Sequence, residues 1–406
     1  MTEKVVKERY TIPVGPQHPA LKEPIFFKFI VDGEQIIEAI PRIGYVHRGI
    51  EKLTEERTYL KDAYLVERVC GICSGVHQAT FVNAVESLID KPTPERADYL
   101  RVLVLELERI HSHYLWLGVA AHEIGFDTLF MYTWRDREVV MDLLELITGN
   151  RVNYGMNIIG GVRRDINDEI IHKTLKGIDY LEERAKYYLD VAADEKTILA
   201  RTVGRGILTR EQALKLGAVG PTARASNLAM DVRKDDPYLV YDEIPFELVT
   251  ADTNDVFGRI VVRVKELFES YNIIRWVLEN IPSGPTFIRT SPKVPAGEAI
   301  AKSEAPRGEL FYYVRSTGTL KPYRVKIRTP TLANILAVAE MLKGEYIADI
   351  PIVFAGIDPC ISCMDRAFFV DVEKDKKWVW SEDELKLYSR KWYKTHEKEV
   401  IQRWKR

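Results

Sequence analysis

The chain has four cysteines, Cys70, Cys73, Cys360 and Cys363, arranged as two Cys-x-x-Cys pairs. A Cys-x-x-Cys turn lets two sulfurs converge on one ion, and two such turns can close a four-thiolate shell. That shell suits soft metals: zinc, an iron–sulfur cluster, or nickel with iron. Buried or redox-active thiols are the remaining reading of the spacing. Disulfides are disfavoured, because the opening residues carry no apolar secretion signal and cytosolic thiols stay reduced. The two pairs of a structural zinc clip usually stand only ~12–20 residues apart. Here one pair lies near residue 70 and the other near residue 360, so a shared site would tie together the two ends of a whole domain.

The residues around the cysteines narrow the chemistry further. The first pair reads Glu67-Arg-Val-Cys-Gly-Ile-Cys-Ser-Gly-Val-His77, and the second reads Asp358-Pro-Cys-Ile-Ser-Cys-Met-Asp-Arg366. Both resemble the two metal-binding motifs of nickel–iron hydrogenase large subunits. Gly15-Pro-Gln-His-Pro, Gly44-Tyr-Val-His-Arg-Gly, Glu108-Arg-Ile-His-Ser-His, Gly160-Gly-Val-Arg-Arg-Asp, Gly220-Pro-Thr-Ala-Arg and Glu304-Ala-Pro-Arg-Gly-Glu extend the likeness. With them the chain resembles the group 4 membrane-bound, energy-converting hydrogenases and their sulfur-reducing relatives, in order and over nearly its whole length.

That resemblance implies roles. Cys70 and Cys360 would be terminal nickel ligands, and Cys73 and Cys363 would bridge nickel to iron. Arg307 would hang over the metals, Asp358 would orient its guanidinium, and Glu23 would be the first proton carrier. A carboxylate can hand protons on when burial moves its pKa toward neutrality. His77 would hydrogen-bond a thiolate or face a neighbouring cluster. Taken alone, each has a plainer reading: a surface carboxylate for Glu23, an ion-pair partner for Arg307, a turn cap for Asp358 before Pro359 and a satisfied polar group for His77. His111 and His113 fall two apart on a helix, point in different directions and read as packing or interface residues.

The N-terminal motifs also resemble the 49-kilodalton quinone-site subunit of respiratory complex I, a family without the cysteine pairs. The resemblance implies docking on a membrane arm with an iron–sulfur small subunit alongside. His18, His47 and Arg48 would lie near that junction. The main expectation is therefore a nickel–iron centre that reduces protons or oxidises hydrogen, fed by iron–sulfur clusters in the small subunit, with ion translocation in membrane partners. The alternative is the large subunit of a sulfane sulfur reductase without such a centre. A quinone-linked subunit and a structural zinc protein stand further back.

The elements that must position these groups follow from periodicity. The fold class expected is mainly α with small antiparallel β additions, an α+β helical core of the hydrogenase and 49-kilodalton kind. Residues 1–50 alternate polar and apolar, and Asp32-Gly33 between two such runs signals a hairpin. They form an expected N-terminal sheet with partner-facing loops. Residues 51–366 form the expected core that carries the motifs. Apolar spacing of three and four predicts helices over 96–125, 137–149, 172–194 and 256–281. Thr209-Arg-Glu-Gln reads as a capped helix start. Residues 220–255 look irregular and polar, and 283–330 read as loops with a second short sheet.

Residues 367–406 are a C-terminal extension, with helical pattern over its aromatic and basic end. In hydrogenases of this group a peptide after the Cys-x-x-Cys-x-x-Arg motif is removed once nickel is inserted. Bulk properties exclude other classes. The chain is 46% hydrophobic with a formal net charge of -2, so no basic surplus points to nucleic acid. No run of about 18 uncharged apolar residues predicts a membrane span. The expected location is peripheral, on the cytoplasmic side of a membrane, held by partners.

Overall fold

The computed structural model describes residues 9–89, 91–364 and 382–404. It opens with the sheet β1 (Arg9–Val14), β2 (Phe26–Asp32) and β3 (Gln35–Arg42), antiparallel in that order. Asp32 pairs with Gln35 across the expected hairpin, where Gly33 adopts the left-handed φ of 62° that a tight turn needs. Alternate residues of β2 are buried, which puts Phe27, Phe29 and Val31 into the core.

Helices follow: α1 (Ile50–Thr54), α2 (Tyr59–Val66), α3 (Ser74–Ile89), α4 (Glu95–Glu123) and α5 (Asp127–Thr148). A two-stranded ribbon, β4 (Asn157–Ile158) with β5 (Gly161–Val162), precedes α6 (Asp168–Asp194), α7 (Lys196–Thr202) and α8 (Arg210–Leu216). The short helices α9 (Gly220–Arg224) and α10 (Val232–Asp235) lead into α11 (Val256–Asn280). The second antiparallel sheet is β6 (Gly297–Ala305), β7 (Gly308–Ser316) and β8 (Arg324–Arg328). Then come α12 (Pro330–Met341), α13 (Ile350–Ala355) and, as part of a separate unit spanning Ala367–Arg406, α14 (Glu382–Trp404). The stretch around Arg366 lies outside the described residues. Among the described residues no helix is long and apolar enough to cross a membrane.

The chain is a helical core with small antiparallel sheets, as its periodicity predicts. Helix ends match local chemistry. At the end of α5, Gly149 is left-handed and donates to the Glu145 carbonyl at 2.7 Å. At the start of α8, Thr209 and Gln212 form the reciprocal capping box. Helices α4, α5, α6 and α11 pack into a bundle, while α3 packs on β6 and β7. Buried apolar residues accordingly form two clusters, one in the bundle and against the first sheet, and one around α3 and the second sheet. All four cysteines belong to the second cluster.

Residues 220–255 are largely irregular, as their sequence reads, but not wholly so. This stretch carries α9 and α10, and it buries Arg224 and Arg233 in the core. Arg224 pairs with Glu266 and Glu304, and Arg233 pairs with Asp231 and Glu106. Polar sequence signals exposure only when charges lack internal partners, and here each has one. The ribbon β4–β5 also carries no periodicity long enough to read.

Candidate metal centre

The first cysteine loop leaves a 3-10 turn over Glu67–Val69 and enters α3 at Ser74. The helix start is held from behind by Glu108 of α4, whose carboxylate accepts from the amides of Gly75 at 2.6 Å and Val76 at 2.9 Å. Burial raises that carboxyl to about 8, against the pull of the two amides. Within the loop, the amides of Ile72 and Cys73 both point at the Cys70 sulfur at 3.3 Å, as donors that favour a thiolate.

The second loop follows α13. Asp358 takes a left-handed φ of 55°, a conformation that a non-glycine residue rarely holds, just before Pro359. Its amide donates to the Ala355 carbonyl at 2.8 Å. Threonines flanking the start of α12 then grip the cysteines: Thr331 Oγ1 accepts from the Cys360 amide at 3.1 Å, and Thr329 Oγ1 donates to the Cys363 carbonyl at 3.4 Å.

Folding brings the two pairs together. The sulfurs of Cys70 and Cys360 lie 3.3 Å apart, and those of Cys363 and Cys360 lie 2.8 Å apart. Cys70, Cys73 and Cys363 also place their sulfurs within 4.8 Å of one another. All four are buried free thiols. Hydrogen bonds from Cys363 and Cys70 draw the Cys73 thiol down to about 6, whereas burial pushes Cys363 well above the ordinary thiol range. Four sulfurs this close cannot all ionise without a cation between them. The donor set therefore fits a thiolate-bound soft metal, which would displace the remaining thiol protons.

Three groups expected around the cysteines are found against them. Arg307, buried in the turn between β6 and β7, donates from Nε to the Asp358 carbonyl at 2.7 Å and from Nη2 to its carboxylate at 2.8 Å. A third donor, Nη1, reaches Ser112 of α4 at 3.3 Å. The guanidinium is held well inside its charged range by Asp358 and by the sulfurs of Cys360, Cys70 and Cys73, which outweigh its burial. Glu23, in the loop between β1 and β2, accepts from the amides of Ile361 and Ser362 and from the Ser362 hydroxyl. Burial, then the nearby Cys360 sulfur, raises its carboxyl above the ordinary value.

Arg307, Asp358 and Glu23 line one cavity of about 170 Å³, whose remaining wall includes Ile72, Leu115, Trp116, Val119 and Phe354. Lys22 and Glu123, which form an ion pair, line it too.

His77 is on α3, fully buried, with Nδ1 at 2.7 Å from the Tyr312 hydroxyl of β7. Burial lowers it to about 3, so the ring is neutral near pH 7. Its Nε2 has no hydrogen-bond partner among the described residues. His111 and His113 do point apart: His111 meets Arg137 at 2.8 Å, and His113 meets Glu266 at 2.9 Å.

Two residues at the centre were not anticipated in their observed roles. Glu108 has a faint signal, an acid inside the mostly apolar run of α4. Arg48 belongs to a quoted motif but was expected near a membrane junction. Its guanidinium also donates to the carbonyls of Arg68, Val69 and Ser362 at 2.6, 2.8 and 2.7 Å.

Most of the chain is similar to known proteins. A family model described as respiratory-chain NADH dehydrogenase, 49 Kd subunit, matches residues 123–292 and 286–366. A model described as nickel-dependent hydrogenase matches residues 48–118. The carbon monoxide-induced hydrogenase of Rhodospirillum rubrum is 42% identical over 358 residues, covering 88% of this chain and 99% of that one. The membrane-bound hydrogenase subunit alpha of Pyrococcus furiosus is 42% identical over 400 residues, 94% of this chain and 93% of that one. Among solved structures, a chain of the membrane-bound sulfane sulfur reductase, an archaeal respiratory membrane complex, superposes with a TM-score of 0.84 at 35% identity. That match covers 89% of this chain and 100% of the other.

Proposed function

Because the chain belongs to the family that joins membrane-bound hydrogenase large subunits to the 49-kilodalton subunit of respiratory NADH dehydrogenases, we propose that it is the large subunit of a membrane-associated hydrogenase. Its reaction would be proton reduction or hydrogen oxidation at a nickel–iron centre. The observation that carries this reading is the convergence of four buried thiols, with Arg307 bonded to Asp358 and Glu23 bonded to Ser362 of the second cysteine loop.

Cys70, Cys73, Cys360 and Cys363 would hold the metals. The bound centre would supply the redox chemistry of hydrogen. The protein's own groups then have separate tasks. Glu23, its carboxyl pKa raised by burial, would take up and pass on a proton beside Ser362, at the cavity. Arg307, fixed by Asp358, places a permanent cation over the thiolates and offsets their charge. Apolar residues of the cavity wall limit water around Glu23, Arg307 and Asp358. His77 stays neutral behind the first loop, with Nε2 free of hydrogen bonds to the described residues. Electrons would come from an iron–sulfur small subunit, and a membrane arm would carry ion translocation. The chain would sit peripherally on the cytoplasmic face.

A second reading has one observation in its favour, the close superposition on a sulfane sulfur reductase chain. In that case the chain would shape the cavity and contact the membrane arm without nickel. Metal analysis of the intact, active complex separates the two. About one nickel per chain, lost in Cys360→Ser, is expected from the four-thiolate geometry. Full activity in nickel-free material would overturn the hydrogenase reading.

A further inference from the structure

Arg48 makes an unusual set of contacts for an exposed arginine. It stands just before α1, and Gly49 beyond it is left-handed, φ 69°, which turns the chain back. The three carbonyls it meets are not scattered. Val69 precedes Cys70, Arg68 precedes Val69, and Ser362 precedes Cys363. One rigid guanidinium thus grips the peptides that lead into one cysteine of each pair. Its fork can do this because its donors are coplanar and fixed relative to one another, which a lysine ammonium cannot reproduce. Charge-assisted bonds of 2.6–2.8 Å are at the short, strong end for nitrogen donors.

Apart from contacts between sulfurs, such as Cys70 with Cys360, the other hydrogen bonds described at the second loop come from groups outside the first loop. Glu23, Thr329 and Thr331 all bond the 360–363 loop alone. Glu108 bonds only the α3 start that follows the first loop. Arg48 reaches both loops with a single side chain. We propose that Arg48 is a positioning residue that sets the separation of the two cysteine loops, and so the size of the shell that the four sulfurs offer a metal. This rests on the proposed nickel–iron reading of the same site. The clamp itself does not need a metal to exist.

The test uses the whole membrane complex, purified from nickel-replete and nickel-depleted cells, as wild type, Arg48→Ala and Arg48→Lys. Amide hydrogen exchange is read by mass spectrometry over peptides 66–74 and 358–364, with bound nickel and the electron paramagnetic resonance of nickel measured alongside. Arg48→Ala should speed exchange in both loops while peptides from α4 and α11 keep wild-type rates. Nickel retention should fall about 10-fold or more, the usual effect of losing a group that orients metal ligands. Arg48→Lys should recover part of each and shift the nickel g-values. Wild-type exchange in both loops of Arg48→Ala would overturn the clamp, whatever the nickel content. Faster exchange throughout the chain would overturn it as well, since that is a loss of fold. Should wild type itself hold no nickel, the paired exchange effect in nickel-free complex would uphold the clamp while the hydrogenase reading fell.

Discussion

Arg307 and Asp358 are joined at two points, a main-chain bond at 2.7 Å and a carboxylate bond at 2.8 Å, although 50 residues separate them. The double contact fixes the guanidinium plane as well as its position. It also joins the turn between β6 and β7 to the loop carrying Cys360.

Arg307→Lys keeps the charge but cannot make both bonds. Turnover should drop about 100-fold, the scale expected when a charged group at a reacting centre moves by roughly 1 Å. Bound nickel should be retained. Asp358→Ala leaves the buried cation without its counter-ion and should lower stability by about 3–5 kcal/mol. Hydrogen uptake with a dye acceptor and thermal melting of the complex read the two effects.

Glu23→Gln keeps an oxygen that can accept from Ile361 and Ser362 but carries no transferable proton. Turnover should fall by about 10²–10⁴. Melting temperature and nickel content should match wild type. Equal turnover in Glu23→Gln and wild type would remove Glu23 from the proton path.

Gly220→Ala tests how Arg307 is placed. Gly220 has a φ of 65°, and a Cβ there would lie 2.4 Å from both the Arg307 carbonyl oxygen and the Gly308 Cα. The obstruction is main chain on both sides, so it cannot swing away. Left-handed strain alone costs about 1–3 kcal/mol. Activity should fall further than stability, because the turn that is pushed carries Arg307. A variant with wild-type turnover would show that the Gly220–Gly308 contact is not what sets the arginine.

Asp62→Asn should reshape the pH profile of stability. Asp62 on α2 is fully buried, and neither carboxylate oxygen has a hydrogen-bond partner among the described residues. Burial raises its carboxyl from 3.8 to about 8, with Arg57 pulling the other way. The folded chain therefore holds this proton more tightly than the unfolded chain. Its contribution is full below pH 3.8 and is lost as pH rises toward 8. Asparagine has no such dependence. The stability of Asp62→Asn relative to wild type should climb across that window by at least about 2 kcal/mol. Melting curves from pH 4 to 8 check it, and parallel curves would contradict the buried, protonated state.

Much of the fold is legible in local pattern because its elements are long and self-consistent. Helices α4, α6 and α11 carry three- and four-residue apolar spacing over more than twenty residues each, and Asp32-Gly33 marks its hairpin by turn chemistry. The burial of Arg224 and Arg233 within 220–255 is not legible in the sequence, for a definite reason. These arginines are buried because acids from α4, α11 and β6 join the local Asp231 in pairing with them, and no short window of the sequence contains those distant partners.

The sequence by itself determined which groups this protein can bring to a metal. Four cysteines in two tight turns, an acid, an arginine and an aspartate are chemical identities, and identity is read directly. Tertiary structure alone decided that these groups meet. Cys70 and Cys360 lie 290 residues apart in sequence and 3.3 Å apart in space. It also decided that Arg48 turns onto both cysteine loops and that Glu108 holds α3 from behind. Such contacts depend on where separate elements pack, and packing is set by the buried surfaces of the whole core rather than by any short run of residues.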